Sequence, residues 1–385
     1  MGCDPHGGEL VDLVVGPARR AELRTSVASG RWPTWDLTVR QACDLELLLN
    51  GGFSPLRGFM GRADYEAVCA GMRLADGTLW PMPITLDVDD DAASRLGPGD
   101  TLALRGRHDE MVAVVRVDDV WRPDLAEEAR LVYRTQSRHH PGVAHLAERT
   151  HPWYVGGRVE GIRLPEHDAF GALRLGPAEV RAEFARRGWS RVVAFHTRNP
   201  LHRAHFELTR RAATEAGANL LLHPTVGPTR PGDLDAAVRV RCYQAVMARY
   251  PAGEAMLAVV PIAMRMAGPR DALWNAIIRR NYGATHYIVG RDHASPGDDA
   301  DGVPFYSPFE QQDLLRAVAG ELGVTTVGFP VVVYVPALDR YLPEDEVPPG
   351  METRRVSGTL LRQMLARREA LPSWVTFPEV AAQLA

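Results

Sequence analysis

The sequence predicts an α/β protein: a parallel sheet covered on both faces from about residue 176, a mostly β region before it and a small C-terminal piece after it. Three observations carry the prediction. Short apolar runs alternate with helical patterns, as strand and helix units do. Those runs, such as "RVVAF" and "MLAVVPI", are apolar almost without interruption, which suits strands buried on both faces. Upstream, "TLALRGRHDEMVAVVRVDDVW" sets two β-rich runs around a polar turn, the pattern of a small barrel or sandwich.

Taken in order, "DLELLLNGGFSPLRGFMG" opens as a helix and ends in a glycine-rich loop at Gly51 and Gly52, and "YVGGRVEG" reads as a turn-rich piece. A helix over 177–187 leads into "RVVAF", and a second helix from Pro200 to about Ala216 is stopped by Gly217. "NLLLHP" is the next strand. "DAAVRVRCYQAVMARY" is a helix, with Val240, Tyr243, Val246, Met247 and Tyr250 at helical spacing. "MLAVVPI", a helix near 269–282, "THYIVG", a helix near 308–321 and "TTVGFPVVVYV" complete the series. "RYLPEDEVPPG" is a Pro-rich connector to "VSGTLLRQMLARRE", a loop opening into a helix. The chain divides into 1–170, 171–325 and 326–385, and in a parallel sheet of this kind ligands bind beyond the carboxyl ends of the strands.

Composition narrows the chemistry. At 385 residues the chain exceeds what one core usually supports, and 45% hydrophobic with 24% charged residues is ordinary for a globular protein. A formal charge of −4 gives no global basic field, so unspecific binding to nucleic acid or an anionic membrane is not expected and any anion site must be local. All 44 basic residues are Arg. The absence of Lys removes Schiff bases, lysine general bases and a P-loop lysine, and leaves guanidinium forks to meet any oxyanion. Cys3, Cys43, Cys69 and Cys242 form no CxxC pair, so a disulfide framework and a Cys-rich zinc site are not expected and a reducing cytosol fits. "MGCDPHGGEL" lacks the basic and apolar regions of a secretory signal, and the longest apolar stretches are roughly half a membrane span. A cytoplasmic protein is expected.

Polar chemistry concentrates in "FHTRNPLHRAH", residues 195–205, directly after a strand. Asn199 is a favoured N-cap and Pro200 a favoured first helical residue, so the helix should begin there with its amides facing the ligand side of the sheet. His202 and His205, three apart, would share one face. A metal site needs a third ligand and usually a carboxylate, whereas "HRAH" carries a cation between its histidines. A catalytic triad needs a Ser or Cys nucleophile that the stretch lacks. A structural role at a helix start and an anion cradle both stay open, and the cradle is the layout that holds a nucleoside triphosphate for attack at its α-phosphorus.

Three further segments follow strands. "HPTVGPTRPGD" supplies turn residues and Arg230. "MRMAGPRDALWNAIIRRNYGATHYIVGRDHASPG" supplies Arg265, a Gly-Pro helix start and then "GRDH". "VSGTLLR" places Ser357 and Thr359 at a helix start with Arg362 one turn in, suited to outer phosphates. Singly each reads as a turn, a surface charge or a cap; their common placement favours one anion site.

Together these motifs resemble the ATP sulfurylase family, from "DLELLLNGGFSPLRGFM" and "HPGVAHL" with "YVGGRVE" through to "RYLPEDEVPPG" and "VSGTLLR". The resemblance implies a PUA-like N-terminal barrel, a Rossmann-like nucleotidyltransferase domain and a small closing C-terminal domain. It implies the reversible conversion of ATP and sulfate to adenosine 5′-phosphosulfate (APS) and pyrophosphate by in-line attack of sulfate. Sulfate is already ionised, so orientation and charge stabilisation replace a general base. By resemblance Arg198 and His196 bind sulfate with the backbone of Ala294, and Thr197, Arg198 and Asn199 line the reacting centre. His202 and His205 stabilise charge on the departing phosphates, and Gly290, Arg291, Asp292, His293 and Val332 hold the nucleotide. Mg²⁺ is expected on the triphosphate, with no protein-bound zinc because no Cys follows Cys242. The expected form is the short bacterial one without an APS kinase extension, as a homodimer that binds neither nucleic acid nor membrane.

The sequence departs from the family's usual pattern at four positions: His196 for Gln, Phe206 for Glu, Arg230 for Lys and Asn275 for His. His196 leaves open a different oxyanion, and the PUA-like region leaves open a non-catalytic nucleotide- or RNA-binding homologue, which the global charge disfavours. His196 also makes a testable difference. Binding as a cation, it would weaken apparent sulfate affinity as pH rises through its pKa; an affinity flat between about pH 5.5 and 8 marks a neutral donor.

Overall fold

The computed structural model describes residues 2–329, 331–355, 361, 363–364, 367 and 369–384. In its first half, strands β1 (Thr34–Asp36), β2 (Gly58–Phe59), β3 (Leu86–Val88), β4 (Thr101–Arg105), β5 (Met111–Trp121) and β6 (Trp153–Gly161) form a six-stranded sheet. The order is β1-β4-β5-β6-β2, with β3 also on β6, and every pairing but β1 with β4 is antiparallel. The expected hairpin is β4 and β5. The stretch "YVGGRVEG" is a correction: it lies inside β6 rather than in a turn. Its glycines answer a steric demand, since a Cβ on Gly156 would stand 2.5 Å from the Met60 carbonyl oxygen and one on Gly157 2.0 Å from that of Arg116. Glycine here marks strands in close approach, which local sequence cannot distinguish from a turn.

The second half holds a five-stranded parallel sheet of β7 (Val192–Phe195), β8 (Asn219–Leu222), β9 (Ala255–Leu257), β10 (His286–Val289) and β11 (Thr325–Gly328). Its order is β11-β10-β7-β8-β9. The chain runs outward from β7 through β8 to β9, then crosses back to lay β10 on the other side of β7. The order therefore reverses between β7 and β10, which opens a crevice at their carboxyl ends. Helices occupy Pro177–Arg186, Arg203–Ala216, Ala236–Met247, Pro269–Asn281 and Glu310–Ala317, and Gly217 ends the second of them in a left-handed conformation as expected.

Three local expectations are corrected. The helix after β7 begins at Arg203, not Pro200. A start at Pro200 would use the Asn199 carbonyl to accept the Arg203 amide, but the Tyr243 hydroxyl donates to that carbonyl at 2.9 Å and the Arg203 amide donates to Val375 instead. β9 is shorter than "MLAVVPI", although the chain keeps pairing beyond it: the amides of Ala258 and Val260 donate to the carbonyls of Leu222 and Pro224, while the Val259 amide, on the open edge, donates to the Leu173 carbonyl at 2.8 Å. "TTVGFPVVVYV" is divided: its start is β11, and its end is β12 (Val332–Val335), which pairs antiparallel with β13 (Arg340–Pro343), so the supposed connector opens as a strand. The expected helix start at Ser357 and Thr359, with Arg362, lies outside the described residues. All four cysteines are free, and among the described residues no helix is long and apolar enough to cross a membrane.

The helix Pro269–Asn281 joins the two halves. Nearly all of it is buried, and Arg270, Asn275, Arg279 and Asn281 on it find protein partners. Arg270 donates to the carbonyls of Val68 and Cys69, and Asn281 donates to those of Gly52 and Ser54 while accepting the His6 amide. Just before the helix, Arg265 reaches Asp44 at 2.5 Å with both side chains 3% exposed. Breaking such a pair strands a buried charge, so Asp44→Ala should cost about 3–5 kcal/mol of unfolding free energy. Urea denaturation of the two proteins measures it, and a loss under about 1 kcal/mol would show that the pair does not hold the halves together.

Candidate functional site

The crevice between β7 and β10 is a cavity of about 460 Å³, within the range of small-molecule sites. From the β7 side it is lined by Phe195, His196, Thr197, Arg198, Asn199 and His205; from the β10 side by Gly290, Arg291, Asp292, His293 and Ala294; and from the last hairpin by Val332. Of the residues assigned to the site by resemblance, all line it except His202, which is buried behind the wall; of the further arginines expected at the anion site, neither Arg230 nor Arg265 is among the lining residues.

On the β7 side a tight turn replaces the expected first turn of helix. The Asn199 amide donates to the Thr197 hydroxyl at 3.1 Å, and that hydroxyl donates back to the Asn199 carbonyl at 3.2 Å. His202 is the N-cap, and its amide meets Nδ1 of His205 at 3.4 Å. Arg198 is paired: its Nη1 lies 2.6 Å from the Asp233 carboxylate, with the two side chains 14% and 4% exposed. Asp233 closes the "GPTRPGD" loop, and Arg230 in the same loop donates to the Pro296 carbonyl at 2.8 Å.

His196 is enclosed at the end of β7. Nη2 of Arg279 donates to its Nδ1 at 2.7 Å, and its Nε2 is buried with no hydrogen-bond partner among the described residues. On the β10 side, Asp292 and Ala294 take left-handed backbone conformations (φ 53 and 55), the Gly290 carbonyl accepts from Gln311, and His293 meets the Tyr287 hydroxyl at 2.9 Å. The rings of His196 and His293 face each other across 5.9 Å between centroids.

The wall sets neutral rings among two paired cations, Arg198 with Asp233 and Arg291 with Asp292. Burial draws the pKa of His202 down to about 3 and those of His205 and His293 to about 4, and drives that of His196 well below its ordinary value. At neutral pH these rings are uncharged donors and acceptors. Among the described residues no three His, Cys, Asp or Glu side chains stand close enough to hold a metal ion, and the Asp292 carboxylate in the wall is paired with Arg291 at 2.9 Å.

Arg265 is not at the cavity but on Asp44, an ion pair that a distant partner in sequence concealed. Phe206 is absorbed into the core, with ring centroids 4.7 Å from Tyr250 and 5.3 Å from Phe377, so an apolar residue fits where a Glu is customary. Sequence reasoning missed Arg279 and Asp233. Arg279 drew no reading of its own within the helix, and the "PGD" of the loop read only as a turn; nothing local marks either as a partner of the 195–205 stretch.

Comparison with known proteins gives a consistent picture. The ATP-sulfurylase family model matches residues 171–385 and the PUA-like domain model residues 3–164. The sulfate adenylyltransferase of Aspergillus fumigatus is 49% identical over 383 residues, covering 99% of this chain and 66% of its own length. That of Eremothecium gossypii is 49% identical over 376 residues, covering 98% of this chain and 75% of its own. This chain thus spans about two thirds to three quarters of these relatives. A solved structure described as a hexameric APS kinase from Thiobacillus denitrificans is 34% identical, with a TM-score of 0.82 over 100% of this chain and 68% of the other.

The buried histidines carry a sign that can be checked. Their folded pKa values lie below the unfolded value of about 6.5, so the folded state binds fewer protons; the stability is complete above about pH 6.5 and lost as pH falls toward 4. For His205 the loss between pH 7.5 and 5 is about 2 kcal/mol. His205→Asn should therefore lose about that much less than the unsubstituted protein over the same interval, measured by urea unfolding at both pH values; equal losses would contradict the burial.

Proposed function

Because the chain belongs to the ATP-sulfurylase family, we propose that it is a sulfate adenylyltransferase, forming APS and pyrophosphate from ATP and sulfate. The observation that carries the reading is the meeting, in one cavity at the sheet's switch point, of the Arg198 turn after β7 with the "GRDH" turn after β10. In this reading Arg198, released from Asp233, grips the sulfate dianion together with His196 and the backbone at Ala294. Gly290, Arg291, Asp292, His293 and Val332 seat the nucleotide, which lays its α-phosphorus beside Thr197, Arg198 and Asn199. An oxygen of sulfate attacks that phosphorus, and the bond to the bridging oxygen of pyrophosphate breaks on the opposite side. No proton has to be removed from the nucleophile, so the work is orientation and the screening of charge. His205 faces the departing phosphates as a neutral donor, and His202 acts through it by setting the start of the helix.

Mg²⁺ enters on the triphosphate as part of the substrate in this reading, and among the described residues no carboxylate cluster competes for it. We further propose three units at 1–170, 171–325 and 326–385, the short bacterial form, a cytoplasmic location and a homodimer. The relatives named above are fungal and the structural neighbour is described as hexameric, so light scattering on the purified protein separates the dimer from higher assemblies. His196 keeps a second reading in view, transfer to another oxyanion, and a panel of oxyanions tested with His196→Gln distinguishes it.

Pyrophosphate release from Mg-ATP and sulfate, drawn forward by a pyrophosphatase, tests the activity; none above a sulfate-free control would end the reading. Arg198→Ala should lower kcat/KM by about a hundredfold or more, as loss of a charge-stabilising group does. His205→Ala should cost more than His202→Ala, since only His205 reaches the cavity; the reverse order in steady-state kinetics would misplace the pair.

A further inference from the structure

Two of the departures from the family's usual residues, at positions 196 and 275, meet at a single side chain. Arg279 is fully buried between them. Its Nη2 donates to His196 Nδ1 at 2.7 Å and to the His223 carbonyl at 3.0 Å; its Nη1 donates to Asn275 Oδ1 at 2.5 Å. The Asn275 amide donates in turn to Asp271 Oδ1 at 2.6 Å, and the other oxygen of Asp271 accepts the Met266 amide at 2.7 Å. The sense of every link is forced. A guanidinium only donates, so Asn275 must turn its oxygen to Arg279 and its NH₂ to Asp271, and His196 must offer Arg279 a lone pair at Nδ1. A neutral ring then carries its proton on Nε2, the nitrogen on the edge away from Arg279, which is buried without a partner on a residue that lines the cavity.

We propose that Arg279 is a positioning residue that fixes His196 as the Nε2–H tautomer, making it a permanently neutral donor to the bound oxyanion. The inference rests on the reading that sulfate binds at His196. In that geometry histidine reproduces what glutamine would do at the same place, accepting from Arg279 behind and donating to the anion in front. Burial is the first thing that opposes a second proton on the ring, and the cations of Arg279 and Arg198 around it, beside the rings of His293 and His223, oppose it further; the Asp233 carboxylate is engaged by Arg198 and that of Asp292 by Arg291. A protonated Nδ1 would also point a donor at a donor. Arg279 itself, drawn down to about 10 by burial, stays charged at neutral pH and keeps the arrangement in force. The question raised by His196 in the sequence is answered in favour of an affinity that does not follow pH.

Histidine-selective ¹⁵N labelling of the full chain, with two-bond ¹H–¹⁵N correlation spectra between pH 5.5 and 8, reads the tautomer directly, the His196 signals being those lost in His196→Gln. A neutral ring protonated at Nε2 throughout is expected; an Nδ1–H ring, or a second proton arriving within that range, would overturn the proposal. In steady-state kinetics His196→Phe should raise the sulfate KM at least tenfold, the cost of one donor to a charged acceptor, with the ATP KM within about twofold, and His196→Gln should recover most of the loss. A Gln variant no better than the Phe variant would count against it. Arg279→Met should let sulfate KM vary with pH; should it not fold, the unsubstituted protein's spectrum still decides. The expected tautomer without any pyrophosphate release would retire the enzymatic reading while leaving Arg279's control of His196 intact.

Discussion

The helix Pro269–Asn281 is covered on both faces, and the rest of the structure follows from what that costs. A polar side chain there has no water to turn to, so a partner inside the protein is what stabilises it. Arg270 and Asn281 are matched by carbonyls of the N-terminal half, which fixes that half against the parallel sheet. Asp271, Asn275 and Arg279 are matched to one another and then to His196, which carries the order of the helix into the wall of the cavity. One buried element thereby sets both the docking of the two halves and the orientation of a side chain in the site.

The cavity inherits a simple electrostatic character from this arrangement. Its histidines are neutral, and the one carboxylate on its turns, that of Asp292, is paired with Arg291. Charge is held in reserve as the pair of Arg198 with Asp233. A wall of this kind has little to reorganise when a dianion and a triphosphate enter, since its donors already point where they are held. The absence of Lys sharpens the point: every cation is a planar guanidinium fork that stays charged at neutral pH and meets an oxyanion with two parallel donors.

Much of this was legible in the sequence, and what was not has identifiable causes. The alternation after residue 176 yields the parallel sheet because strands buried on both faces leave a strong apolar signal. Thr197, Arg198, Asn199, His205 and the "GRDH" turn could be placed together because the ends of parallel strands share one edge. The helix start at Arg203 was hidden, since the Tyr243 hydroxyl that takes the Asn199 carbonyl lies many residues away. Arg265 was misplaced and Arg279 passed over for the same reason: an arginine's meaning depends on its partner, and Asp44 and His196 are distant in the chain. The division of "TTVGFPVVVYV" follows from two different sheets claiming one apolar run, which periodicity alone does not resolve.

The glycines of β6 bear on how such a chain varies over evolutionary time. At Gly156 and Gly157 even a methyl group would collide with neighbouring backbone, whereas at Gly16 or Gly71 it would meet nothing within 4 Å. Lineages descended from this fold can drift at the second pair, but not at the first without moving whole strands. Invariance at 156 and 157 would thus record how closely the chain passes itself there, and would be misread if persistence alone were taken as the mark of a binding residue.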